Sequence, residues 1–514
     1  MSPSPAHPMP ALLRVIRALV FAMLVTLGIL GQLSRWRDVF LDGKVFFLDP
    51  DCYSRMTRAA MILHGEGPSL RFHTFENAPL GVTPHTTAPL DLLIAGASRL
   101  TGSLDTAGAW ISPVFGMVFL VGAAIWSWRR KFGGAALTML ALSPVVAHGF
   151  SIGRPDHQGL LMLLVGVGLV SEWALWNGSR RAGWISALAW AMALWVSLYE
   201  PLVMLVLCLA LRGIVLQRNI LENAVRPALV FGALCCAFLT FDGLRLPPTN
   251  PDVRAYFGSW AATIGELRSA GWTGIVAWAG WLAPVAPALL AWQGFREKSR
   301  RVLALAALLG LLLALTFWSA RWGYFLVIGY ALALPVVLAR FRSAWLAWPT
   351  LVVSLWPVAS AWDRDLFPEG ESRQRRQEMR AENVLLRSLT EPIRQLPPGP
   401  ILAPWWVSPA LAYWSGRAFV AGSSHQSLPG IVFTARFYTE SSPERAQTLL
   451  AERGVAGVVG DDPNRLLETS GTLLSLPPSR TNAAMAVRLT RHNPPPFLKP
   501  VATNAFFSLW KVEK

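Results

Sequence analysis

Carboxylates beside apolar runs are the side chains here whose types and spacing can do chemistry. The stretch FFLDPDCYSRMTRAAMILHGEG places Asp49 and Asp51 soon after the first long apolar run, with Arg55 and Arg58 one and two helical turns beyond. GRPDHQG sets Asp156, His157 and Gln158 directly before another apolar run, and TIGE, Thr263 to Glu266, lies in a later polar loop. Carboxylate oxygens are the hard donors that Mg²⁺ or Mn²⁺ takes, so these acids are candidate ligands of a divalent cation. Each has a plain structural use as well, since acids at a membrane end face water and an Asp before a helix caps it. Arg321 in SARWGYF stands between two apolar runs, where its always-charged fork either binds an anion such as phosphate or snorkels to the membrane surface.

The elements that must position these groups form a membrane bundle. The 514 residues are 53% hydrophobic and only 15% charged, too little polar surface to cover a soluble body of this size. A net charge of +16 would suggest nucleic acid in a soluble protein. Here the bases fall in short clusters between apolar runs, at Arg129 to Lys131, Arg180 and Arg181, and Arg296 to Arg301, as the positive-inside rule requires; nucleic acid is not an expected partner. Three of the four cysteines, Cys208, Cys235 and Cys236, sit in apolar runs, which leaves no disulfide framework.

Runs long enough to span a bilayer core of roughly 30 Å lie at 15–33, 107–127, 133–151, 159–176, 183–199, 200–216, 227–241, 273–293, 302–318, 322–339 and 344–361, about eleven helices. The basic loops then face the cytoplasm, as does the N-terminus. The segments 34–106, 152–158, 242–272 and everything from 362 onward lie outside, which gathers the acids on one membrane face. The expected fold is a polytopic α-helical membrane domain over 1–361 followed by an extracytoplasmic mixed α/β domain over 362–514. In the latter, Ser442 to Arg453 has helical periodicity and Gly454 leads into the strand-like VAGVV.

At these residues the chain resembles the catalytic subunit of oligosaccharyltransferases, within the GT-C superfamily of membrane glycosyltransferases. That family has a carboxylate motif in the first external loop, an Asp-x-Glu or Asp-x-Asp before the fourth span, a TIxE-like motif, a later Arg and a soluble domain with WWDYG. The counterparts here are DPDCY, DHQ, TIGE, ARWGYF and PWWVSPALAYWSGRAFVAGSSHQS, in the same order over nearly the whole chain. The resemblance implies Asp51 as cation ligand and acceptor-activating acid, with Asp49 as the competing alignment. It implies Asp156 as a second ligand, Glu266 as orienting acceptor and cation, and Arg321 as holding the lipid phosphate. Thr263, Trp405, Trp406 and His425 fall where the family binds acceptor.

The chain departs from the pattern in three places. Gln158 stands where the family has a second acid, leaving a neutral donor with His157 beside it as possible further ligands. Val407 replaces the Asp that would read a Ser or Thr of a glycosylation sequon. About two of the usual thirteen spans are missing. His73, His85, Asp91 and Glu200 either line a sugar pocket or serve as hydrogen-bonded structure.

The implied activity is an inverting, metal-dependent glycosyltransferase of the inner (plasma) membrane. It would move a sugar or oligosaccharide from a polyprenyl (di)phosphate donor to a peptide, protein or lipid acceptor on the external face. Two alternatives remain: a polyprenyl-monophosphate-sugar transferase modifying a lipid or polysaccharide, and a transporter or flippase of lipid-linked glycans. Against the last stand acids gathered at one face and the lack of paired half-helices.

Overall fold

The computed structural model describes residues 11–84, 88–217, 225–245, 250–341, 343–477, 483–490 and 494–513. Among them, seven helical segments are long and apolar enough to cross a membrane: Ala11–Val39, Leu104–Trp128, His157–Trp176, Val225–Asp242, Arg300–Trp318, Ala320–Leu338 and Ala344–Leu366. The protein is thus a multi-pass membrane protein. The other expected runs are helical but shorter or broken. The run at 133–151 divides into Gly133–Leu142 and Pro144–Gly149, because Pro144 has no N–H with which to continue the first helix. The run at 273–293 divides into Gly271–Ala279 and Ala286–Arg296. In the gap, the Trp281 and Leu282 amides donate to the Ser354 carbonyl (2.9 Å) and hydroxyl (2.8 Å), so a neighbouring helix satisfies the backbone that the break frees. The stretch from 183 becomes Ala182–Val196 and Tyr199–Ala210, the second running on into a π-helical turn, Leu211–Val215.

Ala320–Leu338 is apolar all round and almost wholly buried, which makes it the centre of the bundle and fixes Arg321 at its N-terminal end. In the first external segment, helix Pro50–Leu63 packs on Ala88–Thr101. Arg55 and Arg58 reach across with Arg55 Nη1 2.8 Å from Asp91 Oδ1 and Arg58 Nε 2.9 Å from Asp91 Oδ2, and all three side chains are buried. Asp91 is therefore a structural pin. Asp91→Ala would leave two buried guanidinium groups without their carboxylate and is expected to destabilise this segment by about 3–5 kcal/mol. Thermal unfolding of the detergent-solubilised protein checks this.

After Gly370–Ser388, the chain builds a four-stranded sheet. Strand Ile401–Leu402 runs parallel to Gly457–Gly460, which pairs antiparallel with Ser508–Val512, itself antiparallel to Leu498–Thr503. Helix Pro443–Glu452 is capped by the Ser442 hydroxyl, which accepts from the Arg445 amide at 3.3 Å, and turns through Gly454 at φ +61° into the buried strand GVVG. Leu428–Thr439 and Pro463–Leu474 pack with helix Pro251–Ala261 of the bundle's external loop, joining the two parts through Val253, Trp260, Ile431 and Leu473.

Candidate active site

Four chain segments meet at one end of the bundle, and backbone hydrogen bonds explain why. The Leu48 amide donates to the Gly153 carbonyl at 3.0 Å, and the Gly153 amide to Ala109 at 2.9 Å. This lays the Asp49–Asp51 turn on the GRPD turn. Gly153 has φ +73°, and a Cβ there would come within 2.4 Å of Val39, so only glycine allows the approach. The TIGE loop is pinned to the start of the central helix by Ser319, whose hydroxyl donates to the Glu266 carbonyl at 3.0 Å, and by the Ala320 amide, which donates to the Arg268 carbonyl at 2.7 Å. Glu266 and Arg321 are thereby held to one frame.

Asp49 is the N-cap of helix Pro50–Leu63, accepting from the Cys52 amide at 3.0 Å through Oδ1. Its Oδ2 lies 3.2 Å from Nε of Arg154. Asp51, two residues on, has neither tie. Its carboxyl reaches water but stands within a recess of protein atoms. That enclosure, and then the charges of Asp49, Asp156 and Glu266, push it up to about 8, although the Ser423 hydroxyl beside it acts the other way.

Of the two uses its sequence allowed, Asp156 shows the cap. It caps helix His157–Trp176, accepting from the His157 amide at 2.6 Å, and it belongs to the polar cluster. The His157 ring bridges, with Nδ1 2.6 Å from Asp156 and Nε2 2.9 Å from Arg321 Nη2. Since a guanidinium can only donate, Nε2 accepts and the imidazole proton sits on Nδ1. Arg321 also pairs with buried Glu200, Nε to Oε1 at 2.8 Å, and its side chain stays 21% exposed. With its amide turned to satisfy both groups, Gln158 accepts from Arg321 at 2.7 and 2.8 Å. Glu200 is thus the ion-pair partner of Arg321.

Arg154 is the group that reading the motif as an acid site overlooked. Its guanidinium is 6% exposed and lies among the acids, with Nη2 3.7 Å from Asp156 Oδ2 and 3.9 Å from Glu266 Oε2, in addition to Asp49. On the other side, Nη1 meets the Tyr324 hydroxyl at 2.9 Å and His148 Nδ1 at 2.6 Å. Burial opposes its charge, but these partners hold it protonated. The signal was available, as an Arg two residues before an Asp at a membrane boundary.

A divalent cation bound by Asp51, Asp156 and Glu266, helped by His157 and Gln158, needs their oxygens within about 2.0–2.6 Å of one point. Among the described residues, no three His, Cys, Asp or Glu side chains form such a group. Arg154 stands between the acids, and Gln158 and His157 face Arg321, so the residues present do not fit a divalent ion.

The C-terminal part reaches the site through loop 422–427. Buried Glu76 accepts from Ser54, from Ser427 and, at 3.5 Å, from Ser424, so it ties loop 422–427 to the first external segment and brings Ser423 to Asp51. Burial would raise the Glu76 carboxyl, but the nearby His73 and these hydroxyls outweigh it and take it down to about 2. Because its folded value is depressed, Glu76 stabilises the docked loop above the ordinary glutamate range. That contribution, about 3 kcal/mol, is lost as pH falls toward 2. We expect Glu76→Gln to remove most of this acid dependence, read by intrinsic Trp fluorescence between pH 5 and 2. His73, buried beside Glu76, is structural; His85 lies outside the described residues.

In the same loop, His425 lies against Phe257 and is pushed down to about 4 by burial and then by the charge of Arg321, so it is neutral near that guanidinium at ordinary pH. The remaining expected residues are engaged elsewhere. The Thr263 hydroxyl donates to the Trp260 carbonyl at 2.7 Å. Trp406 donates to Asp461 at 2.8 Å under a stacked Arg465, and Trp405 packs against the cluster that contains Trp260. Val407 is buried.

No family model and no curated protein matches the sequence. Solved structures do match the fold. The oligosaccharyltransferase AglB of Archaeoglobus fulgidus, in complex with an inhibitory peptide and a dolichol-phosphate, superposes with a TM-score of 0.66 at 14% identity over 98% of this chain and 75% of that one. ArnT of Cupriavidus metallidurans bound to undecaprenyl phosphate gives 0.57 at 14% identity over 98% of both chains. The fold is that of the GT-C membrane glycosyltransferases. A second A. fulgidus oligosaccharyltransferase structure, a complex with Zn and sulfate, gives 0.64 at 15% identity over 86% of this chain and 68% of that one. Within this fold, the acids share one site with buried Arg154 and partly exposed Arg321.

Proposed function

We propose that the chain is a membrane glycosyltransferase that takes a sugar or oligosaccharide from a polyprenyl phosphate or diphosphate and places it on an acceptor at the external face. The observation carrying this reading is the meeting of Asp49, Asp51, Asp156 and Glu266, from three separate chain segments, beside the phosphate-competent fork of Arg321. The C-terminus and the acids then lie outside the inner membrane, and the basic loops inside.

In this reading, the acceptor's nucleophilic atom is hydrogen-bonded by Asp51 and Glu266 and attacks the anomeric carbon. The bond from that carbon to the phosphate oxygen breaks, the acceptor proton passes to Asp51, and Arg321 takes up the charge growing on the phosphate. A single displacement inverts the anomeric centre. Asp51, less committed to neighbours than Asp49, suits the acceptor role and acts in its ionised form. A divalent cation, Mn²⁺ or Mg²⁺, is the competing source of positive charge, and Mn²⁺ binding to the purified protein decides between it and the protein's own groups.

Buried Val407, where the family carries an acceptor-reading Asp, favours a lipid or polysaccharide acceptor over a sequon peptide. Labelled polyprenyl-linked sugar incubated with the purified protein and either a sequon peptide or a lipid acceptor tests both statements. Transfer to lipid with none to peptide is the expected result; binding of the donor with no transfer to any acceptor would count for a transporter.

A further inference from the structure

Two independent features of the acid site point away from a metal. The guanidinium of Arg154 lies among Asp49, Asp156 and Glu266 at 3.2, 3.7 and 3.9 Å, and it is fixed from behind by Tyr324 and His148. Its side chain is almost fully buried, so it is no surface group swept in by chance. With its amide turned to satisfy both groups, Gln158, the neutral residue at the position of a second acid, gives its oxygen to Arg321. A donor has left the set, and a cation has entered it.

We propose that Arg154 is a built-in cation standing where a divalent ion would otherwise neutralise and orient the acids, and that the protein works without a bound metal. A guanidinium is fit for this, being permanently charged, planar and able to donate to several carboxylates in a fixed fork. It cannot share the space, since a Mn²⁺ ion within bonding distance of the same oxygens would meet a positive charge only a few ångströms away. The consequence is a division of labour. Arg154 is a positioning residue that holds Asp156, Glu266 and the Asp49 cap, so that neighbouring Asp51 is presented to acceptor, while Arg321 receives the phosphate. The proline in GRPD helps, because Pro155 restricts the backbone of Arg154 to extended conformations and narrows the directions its side chain can take.

The idea rests on the site's role in transfer only for that division of labour; the metal claim is tested by binding alone. Purified full-length protein, stripped with chelator, is titrated with Mn²⁺ and the free ion followed by electron paramagnetic resonance. We expect no stoichiometric binding by the wild type at up to about 100 µM, and one site per chain in Arg154→Met, whose acids are released to the ion. In the transfer assay, chelator and added Mn²⁺ should change the wild-type rate by less than about 2-fold, while Arg154→Met should lose at least about 10²-fold and Arg154→Lys, which keeps the charge, should lose less. Wild-type protein binding one Mn²⁺ that is lost in Asp156→Asn would overturn the proposal, as would a folded Arg154→Met that binds none. A protein inactive with every donor would sink the proposed function and leave the binding result standing.

Discussion

Asp51→Asn is expected to lower sugar transfer by about 10²–10⁴-fold while leaving binding of the polyprenyl-linked donor unchanged. The amide keeps the shape of the side chain but cannot take the acceptor's proton. Asp51 lies two residues past a cap and outside the Arg154 pairs, so the helix start, held by Asp49 and Pro50, survives the change. Asp49→Asn should behave differently. It weakens a cap and one ion pair, costing stability of about 1–2 kcal/mol with a smaller effect on transfer. Rates measured under saturating donor, beside donor binding followed with a fluorescent analogue, separate the two. Equal losses from both acids, or unchanged transfer in Asp51→Asn, would contradict the assignment of the acceptor role.

The second large effect concerns Arg321. Arg321→Gln removes the charge facing the departing phosphate, and we expect about 10²–10³-fold less transfer together with weaker donor binding. Arg321→Lys should recover part of the binding but little of the rate, because an ammonium offers no fork. One complication follows from the structure. Glu200 is buried and would lose its 2.8 Å partner, so part of the defect could come from an unpaired carboxylate. The double variant Arg321→Gln, Glu200→Gln resolves this. If phosphate binding is the cause, it stays as inactive as the single variant while regaining its thermal stability; if the stranded acid is the cause, transfer returns.

The same contrast separates enzyme from carrier. In a transferase, Asp51→Asn and Arg321→Gln differ, the first sparing donor binding and the second not. A flippase would show the same two donor affinities but no sugar transfer to any acceptor for Asp51→Asn to lower.

How much was legible beforehand differs by level. The helical bundle and its basic and acidic faces follow from hydropathy and charge, since a bilayer leaves the backbone few options. The breaks at Pro144 and in 280–285 were less visible. An apolar run reads the same whether one helix or two short ones fill it, and only Ser354 on a neighbouring helix makes the second break affordable. In the soluble domain, a capped helix leading through glycine to a buried strand is a local pattern and was found. Its partners Ile401–Leu402 and Ser508–Val512 are far away in sequence and too short to announce themselves.

The sequence by itself determined which chemical groups were on offer: four acids in loops apart from the basic clusters, an arginine at a span's end, no framework of disulfides. It could not say which acid answers which base. Arg55 and Arg58 follow Asp51 by one and two turns, yet they pair with Asp91, while Arg154 of a different motif sits among the site's acids. Local spacing places side chains on a helix face, but pairing depends on what the neighbouring face carries, and that is settled by packing between segments a hundred residues apart. Only the tertiary structure therefore revealed that a guanidinium stands at the centre of the carboxylates. In a buried site, charges are expensive without partners, so the partner that arrives decides the chemistry available there.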